Sequence, residues 1–176
     1  CEGKKACIEV YARAARVELW LNGRIIGRKA LKNDCFAKFS VTYEPGKLEA
    51  VSYDARGCEL GRCNLTTAGQ QTQITAGPEQ SSVQAGHLCY IRLRYTDEKG
   101  ITKPLARGNI KVEVDGGTLV GLGNACPYHE CSYLDCVADT YYGEALAIVR
   151  AGEGNSLTLA ADDGMHSTAV TVPVTR

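Results

Sequence analysis

The sequence lacks any excess of charge: 20 basic and 20 acidic residues give a formal net charge of zero. No run of like charge interrupts that balance. A chain so neutral lacks the electrostatic footprint of a nucleic-acid binder or an anionic-membrane binder, so neither is an expected partner. Long apolar runs are also missing. None reaches the roughly 18 to 20 residues needed to span a bilayer, and Cys1-Glu2-Gly3-Lys4-Lys5 leads into no secretory apolar stretch. A soluble chain is expected. Helical periodicity is absent from the first seventy residues, and nowhere does strand alternate with helix. A barrel of eight strand-helix units needs about 250 residues, which a chain of 176 cannot supply. The N-terminus carries no methionine and opens directly into a strand-like pattern, as expected of a segment cut from a longer polypeptide.

Cysteine is plentiful, with nine copies. The number is odd and the chain exceeds the size at which small secreted domains depend on disulfides. Free thiols in a reducing compartment are therefore expected, which favours a cytoplasmic location and leaves a periplasmic or secreted one open. Cys89 alternates with core-type residues, and a buried thiol behaves as a small hydrophobe. A disulfide between Cys126 and either Cys131 or Cys136 stays open.

The dominant positive signal is a two-residue alternation of apolar side chains, repeated many times between turn residues. Val17, Leu19 and Leu21 share one face, and Asn22-Gly23 follows at once. That dipeptide is suited to the positive φ angles of a type I′ hairpin turn, with Arg24 to Leu31 returning as partner strand. Further strands are expected at Cys7 to Ala12, Phe39 to Tyr43, Leu48 to Tyr53 and Glu59 to Leu65. The small, polar stretch from Thr66 to Gln71 reads as a connection, dividing the chain into modules 1–69 and 70–176. In the second module, strands are expected at Gln73 to Ala76, Cys89 to Tyr95, Ile110 to Val114, Ala145 to Arg150, Leu157 to Ala161 and Ala169 to Val174. Gly77-Pro78 is read as a turn. Pro173, which cannot donate to a ladder, predicts an edge position for the last strand. The fold class is thus all-β, two tandem immunoglobulin-like antiparallel sandwiches.

The stretch from Val120 to Ala151 concentrates the candidate chemistry and reads as a long loop, 125–140, feeding a central strand. Cys126, His129, Cys131 and Cys136 offer enough ligands for zinc, but their spacing falls short of paired knuckles, so no metal or other cofactor is expected. A cysteine nucleophile needs a base and an orienting third group, and only His129 is close in sequence. Paired carboxylates for glycoside hydrolysis must face each other across a cleft, whereas Asp54, Asp97, Asp162 and Asp163 occupy turns. No catalytic residue is assigned. Aromatic side chains give the binding candidates: Trp20, on the strand face opposite Val17, Leu19 and Leu21, and Tyr128, His129 and Tyr142 in or beside the long loop. A strand must turn one member of the Tyr141-Tyr142 pair outward in any case.

VELWLNGRIIGRKAL (17–31), YEPGKLEAVSYD (43–54) and TAGQ (67–70) together resemble the module that follows the catalytic barrel in β-galactosidase-like enzymes of glycoside hydrolase family 2. GGTLVGLGNACPY (116–128) and TYYGEALAIVRAG (140–152) are similar to the immunoglobulin-like module at the far C-terminal end of the same chains. The resemblance implies a non-catalytic fragment of a retaining glycosidase whose two catalytic glutamates lie on an absent barrel. The implied partners are the catalytic and N-terminal domains of the parent enzyme, and carbohydrate. Departures from the family pattern include Cys126, Glu130 and Cys131 in place of ordinary polar residues, and Glu144 at a usually basic position. The competing expectations are a carbohydrate-binding module, using Trp20 or the Tyr141 and Tyr142 region, and a bacterial surface adhesion module of the same fold.

Overall fold

The computed structural model describes residues 2–32, 35–128 and 131–176, and among them every regular element is a strand. The chain divides into two compact units, Cys1–Thr67 and Ala68–Arg176.

The first unit contains β1 (Lys5–Tyr11), β2 (Arg16–Leu21), β3 (Arg24–Ala30), β4 (Phe36–Thr42), β5 (Lys47–Tyr53) and β6 (Glu59–Thr66). A two-stranded sheet, β1-β4, joins a four-stranded sheet ordered β3-β2-β5-β6. Val17 and Leu19 of β2 meet Ala37 and Phe39 of β4 in a small core, with Ile8, Val10, Val41 and Leu48 packed against it. The β2–β3 hairpin closes through Asn22 at φ 51° and Gly23 at φ 78°, the type I′ geometry that its dipeptide favours. Asn22 also clamps the β4–β5 turn: its Nδ2 donates to the Pro45 carbonyl at 3.0 Å, and its Oδ1 accepts from the Lys47 N–H at 2.9 Å.

The second unit contains β7 (Gln73–Pro78), β8 (Val83–Gln84), β9 (Leu88–Thr96), β10 (Ile110–Asp115), β11 (Gly117–Gly123), β12 (Val137–Ala138), β13 (Glu144–Ala151), β14 (Ser156–Asp162) and β15 (Ser167–Thr175). They form a sheet ordered β11-β13-β9-β7 and another ordered β12-β10-β14-β15-β8. Alternate residues of β9 and β13, including Ile91, Leu93, Ala147 and Val149, meet Val112, Leu157, Leu159 and Val172 of the other sheet in one continuous core. Fully burying each large aliphatic side chain contributes on the order of 2 kcal/mol.

The all-β, antiparallel expectation holds, with local corrections. Pairing is antiparallel throughout except for β15 with β8, which is parallel over two residues. That short strand places β15 one position inside the edge at Val174 and Thr175, while Pro173 pairs only with Ser156 of β14. Gly77-Pro78 does not turn the chain but ends β7, where an edge position leaves the missing proline N–H without consequence. Gly117 to Gly123 forms a strand where none was expected, and β12 interrupts the segment read as one loop, 125–140.

Candidate functional site

The site is built on the outer face of the β11-β13-β9-β7 sheet. Along β13, Ala145, Ala147 and Val149 point into the core, which turns Leu146 and Ile148 outward as half-buried aliphatic groups. Their neighbours on β11 are Gly123 and Gly121. A bulge between Leu119 and Gly121 shifts the phase of β11, so that Leu122 enters the core and both glycines face out. With no side chain supplied from β11, the sheet surface opens into a groove of about 660 Å³, within the range typical of ligand sites. Leu146 and Ile148, Tyr133, Tyr141 and Tyr142, and the charged groups Arg92 and Glu144 all line it.

The three tyrosines arrive by two local devices. Tyr133 lies against the bare backbone of Gly123, where an added Cβ would overlap its ring. Its carbonyl accepts from the Leu122 N–H at 2.8 Å, tying the loop to β11. Tyr141 and Glu144 exchange backbone hydrogen bonds at 2.9 and 3.2 Å around a two-residue turn. Tyr142 and Gly143 occupy that turn at φ 51° and 75°, again type I′ geometry. A glycine is required at 143, where a Cβ would collide with the Lys103 carbonyl. A tyrosine at 142 is costly, because a bulky L-residue in the left-handed region is destabilised by roughly 1–2 kcal/mol. Burial does not offset that strain, since Tyr142 is 63% exposed. Its ring stands edge-to-face with Tyr141, centroids 4.6 Å apart. The adjoining Tyr142 phenol, with burial adding to it, raises the Tyr141 phenol above its ordinary value. The pair therefore sits on a hairpin tip and not in a strand, so the outward ring follows from the turn rather than from strand alternation.

The charged side chains lining the groove are paired. Arg92 Nη2 lies 3.0 Å from Glu79, and Arg94 Nε lies 3.0 Å from Glu144, the latter as an ion pair without hydrogen-bond alignment. Glu144, at a position the family resemblance gives to a basic residue, is thereby the cross-strand partner of Arg94.

The most buried carboxylates are committed to structure. Asp97 accepts from the N–H groups of Gly69, Lys99 and Ile101 at 2.7 to 2.9 Å, and these bonds, that of Gly69 first, hold its carboxyl below the usual range. Glu18 accepts from Arg28 Nε at 2.9 Å and the Tyr53 hydroxyl at 3.2 Å. Burial acts to raise Asp163, but donors from Tyr95, His166 and Met165 outweigh it and hold that carboxyl well below the usual range.

Of the described residues singled out in the sequence as aromatic binding candidates, Tyr142 and its neighbour Tyr141 line the groove. Trp20 belongs to the first unit, half-buried on the outer face of β2, with its indole N–H buried and without a partner among the described residues. Tyr128 stands on the loop at 87% exposure. His129 lies outside the described residues. The eight described cysteines are free thiols, and no group of three His, Cys, Asp or Glu among the described residues is placed to hold a metal. Sequence reasoning missed Tyr133 and the paired glycines. Three tyrosines within ten residues beside a G-L-G step are the signal that points to them.

Residues 73–171 match the model of glycoside hydrolase family 2 C-terminal domain 5, more than half of the chain, so the chain belongs to that family as a C-terminal module. Residues 3–61 match a domain of unknown function, DUF4982. Among solved structures, a glycosyl hydrolase family 2 member from Bacteroides cellulosilyticus is 30% identical with a TM-score of 0.91, covering 99% of this chain and 23% of its own. A second structure of a family 2 member, from Bacteroides cellulosilyticus DSM 14838, is 31% identical with a TM-score of 0.90, covering 97% of this chain and 24% of its own. A β-glycosidase from Bacteroides vulgatus shares the fold at 23% identity and a TM-score of 0.88, over 98% of this chain and 23% of its own. The chain thus spans about a quarter of the length of these relatives. No curated protein sequence matches it.

Proposed function

We propose that this chain is the non-catalytic C-terminal region of a larger glycosidase, supporting and orienting a catalytic barrel that lies outside it. The observation that carries this reading is the match along 99% of the chain to 23% of a family 2 enzyme. The saturation of its most buried carboxylates by structural donors adds support, because a general acid or nucleophile must be free to meet substrate. Partners on this reading are the catalytic and N-terminal domains of the same polypeptide. A β-galactoside is the substrate class that the sequence resemblance suggests for the parent, and the β-glycosidase among the solved neighbours keeps other β-glycosides in view. Reading the coding frame upstream of Cys1 tests the proposal. A strand-helix barrel with two facing catalytic carboxylates is expected there. A secretion signal followed by further sandwich repeats would instead make the chain a surface adhesion module.

A carbohydrate-contacting role is the second reading, favoured by one observation: Tyr133, Tyr141 and Tyr142 converge on an aliphatic floor in a single groove.

A further inference from the structure

We infer that the groove over β11 and β13 is a binding site for a neutral glycan, held by aromatic stacking on Tyr142 and Tyr133 above Leu146 and Ile148. The inference rests on the reading of the chain as part of a glycan-hydrolysing enzyme, and goes beyond it by naming a site and a ligand class.

Three features of the groove match a pyranose chain. A pyranose ring has an apolar C–H face and a rim of hydroxyls, and it needs a flat apolar surface edged with hydrogen-bonding groups. The groove supplies that combination: tyrosine rings with polar tips, two aliphatic side chains, and the flanking Arg92 and Glu144. The second feature is charge. Of the two charged side chains that line the groove, Arg92 is paired with Glu79 and Glu144 with Arg94, so neither is left to recruit an ion of opposite charge. Charge complementarity therefore selects an uncharged ligand. The third feature is the backbone of Tyr142. A large aromatic ring held in the left-handed region and left 63% exposed is strain that its edge-to-face contact with Tyr141 offsets only in part. Such strain is characteristic of positions kept for a ligand rather than for the fold.

The geometry also separates this function from stability. Tyr142→Gly relaxes the turn but gives up the contact with Tyr141 and adds unfolded-chain entropy, so it is expected to leave the melting temperature nearly unchanged while removing binding. A residue with a purely structural role would move both in the same direction. Gly123→Ala acts from the opposite wall by displacing Tyr133.

Isothermal titration of the 176-residue chain with cellotetraose, β-1,4-galactotetraose and xylotetraose, and with tetragalacturonate as a charged control, tests the inference. A saturable isotherm for at least one neutral tetrasaccharide is expected, with Kd on the order of a millimolar or below, about −4 kcal/mol or stronger. Tyr142→Gly should weaken it at least about tenfold, Trp20→Ala should leave it unchanged, and tetragalacturonate should not bind. Flat traces for all three neutral probes would overturn the inference, as would equal binding of the uronate or undiminished binding by Tyr142→Gly. Loss of this site would leave the accessory reading standing, because hydrolysis and binding are measured separately.

Discussion

The Tyr95 hydroxyl donates to Asp163 Oδ2 at 2.7 Å, joining a strand of one sheet to the turn that links β14 and β15 in the other. Tyr95 is 2% exposed, and Gly108 passes so close to its hydroxyl that a Cβ there would overlap it. Burial and the bond to Asp163 push the Tyr95 phenol up. The donors around Asp163 hold its carboxyl down, so the pair persists as phenol and carboxylate. A carboxyl depressed in the folded state contributes stability that is present above its ordinary value, about 3.9, and is lost as pH falls from there toward the depressed value. Tyr95→Phe is expected to cost ~2 kcal/mol at pH 7, the scale of a hydrogen bond to a charged group. That penalty should shrink at the acid end of the same window. Urea unfolding at pH 7 and at about pH 2 checks it. Equal penalties at both pH values would show that the carboxylate charge contributes nothing.

Gly123→Ala places a Cβ within the ring of Tyr133. Tyr133 is 53% exposed, so the ring has room to swing outward rather than force the backbone apart. The expected outcome is a small loss of stability, about 1 kcal/mol or less, together with faster nitration of Tyr133 by tetranitromethane. Unchanged nitration would place the ring elsewhere.

Thiol reactivity should divide by burial. Cys7, Cys58, Cys63, Cys131 and Cys136 are exposed, whereas Cys89 is buried in the core and burial pushes its thiol up. Iodoacetamide labelling followed by peptide mass spectrometry is expected to modify the first five under native conditions and Cys89 only after unfolding. Native labelling of Cys89 would contradict the packing of β9.

Much of the fold was legible because alternation survives wherever a strand buries one face. Val17, Leu19 and Leu21, or Ile91, Leu93 and Tyr95, announce their strands without help, and Asn22-Gly23 announces its hairpin. The strand β11 was not legible. Its glycines carry no hydropathy signal and its bulge breaks the two-residue period at Val120. Those same two properties open the groove, so the site lay hidden for the reason it exists. β8 and β12 span two residues each and fall below any periodic signal. The tyrosine pair was visible but misplaced, because a type I′ turn with tyrosine in its first central position runs against the preference for Asn, Asp or Gly there.

On the proposed reading, this chain carries no glycosidase chemistry of its own. The most direct test of that reading is hydrolysis of p-nitrophenyl β-galactoside, β-glucoside and β-glucuronide by the purified 176-residue chain. Release of nitrophenol at the rate of buffer alone is predicted for all three. Turnover that survives repurification and follows the chain through a sizing column would instead place catalytic groups within these 176 residues.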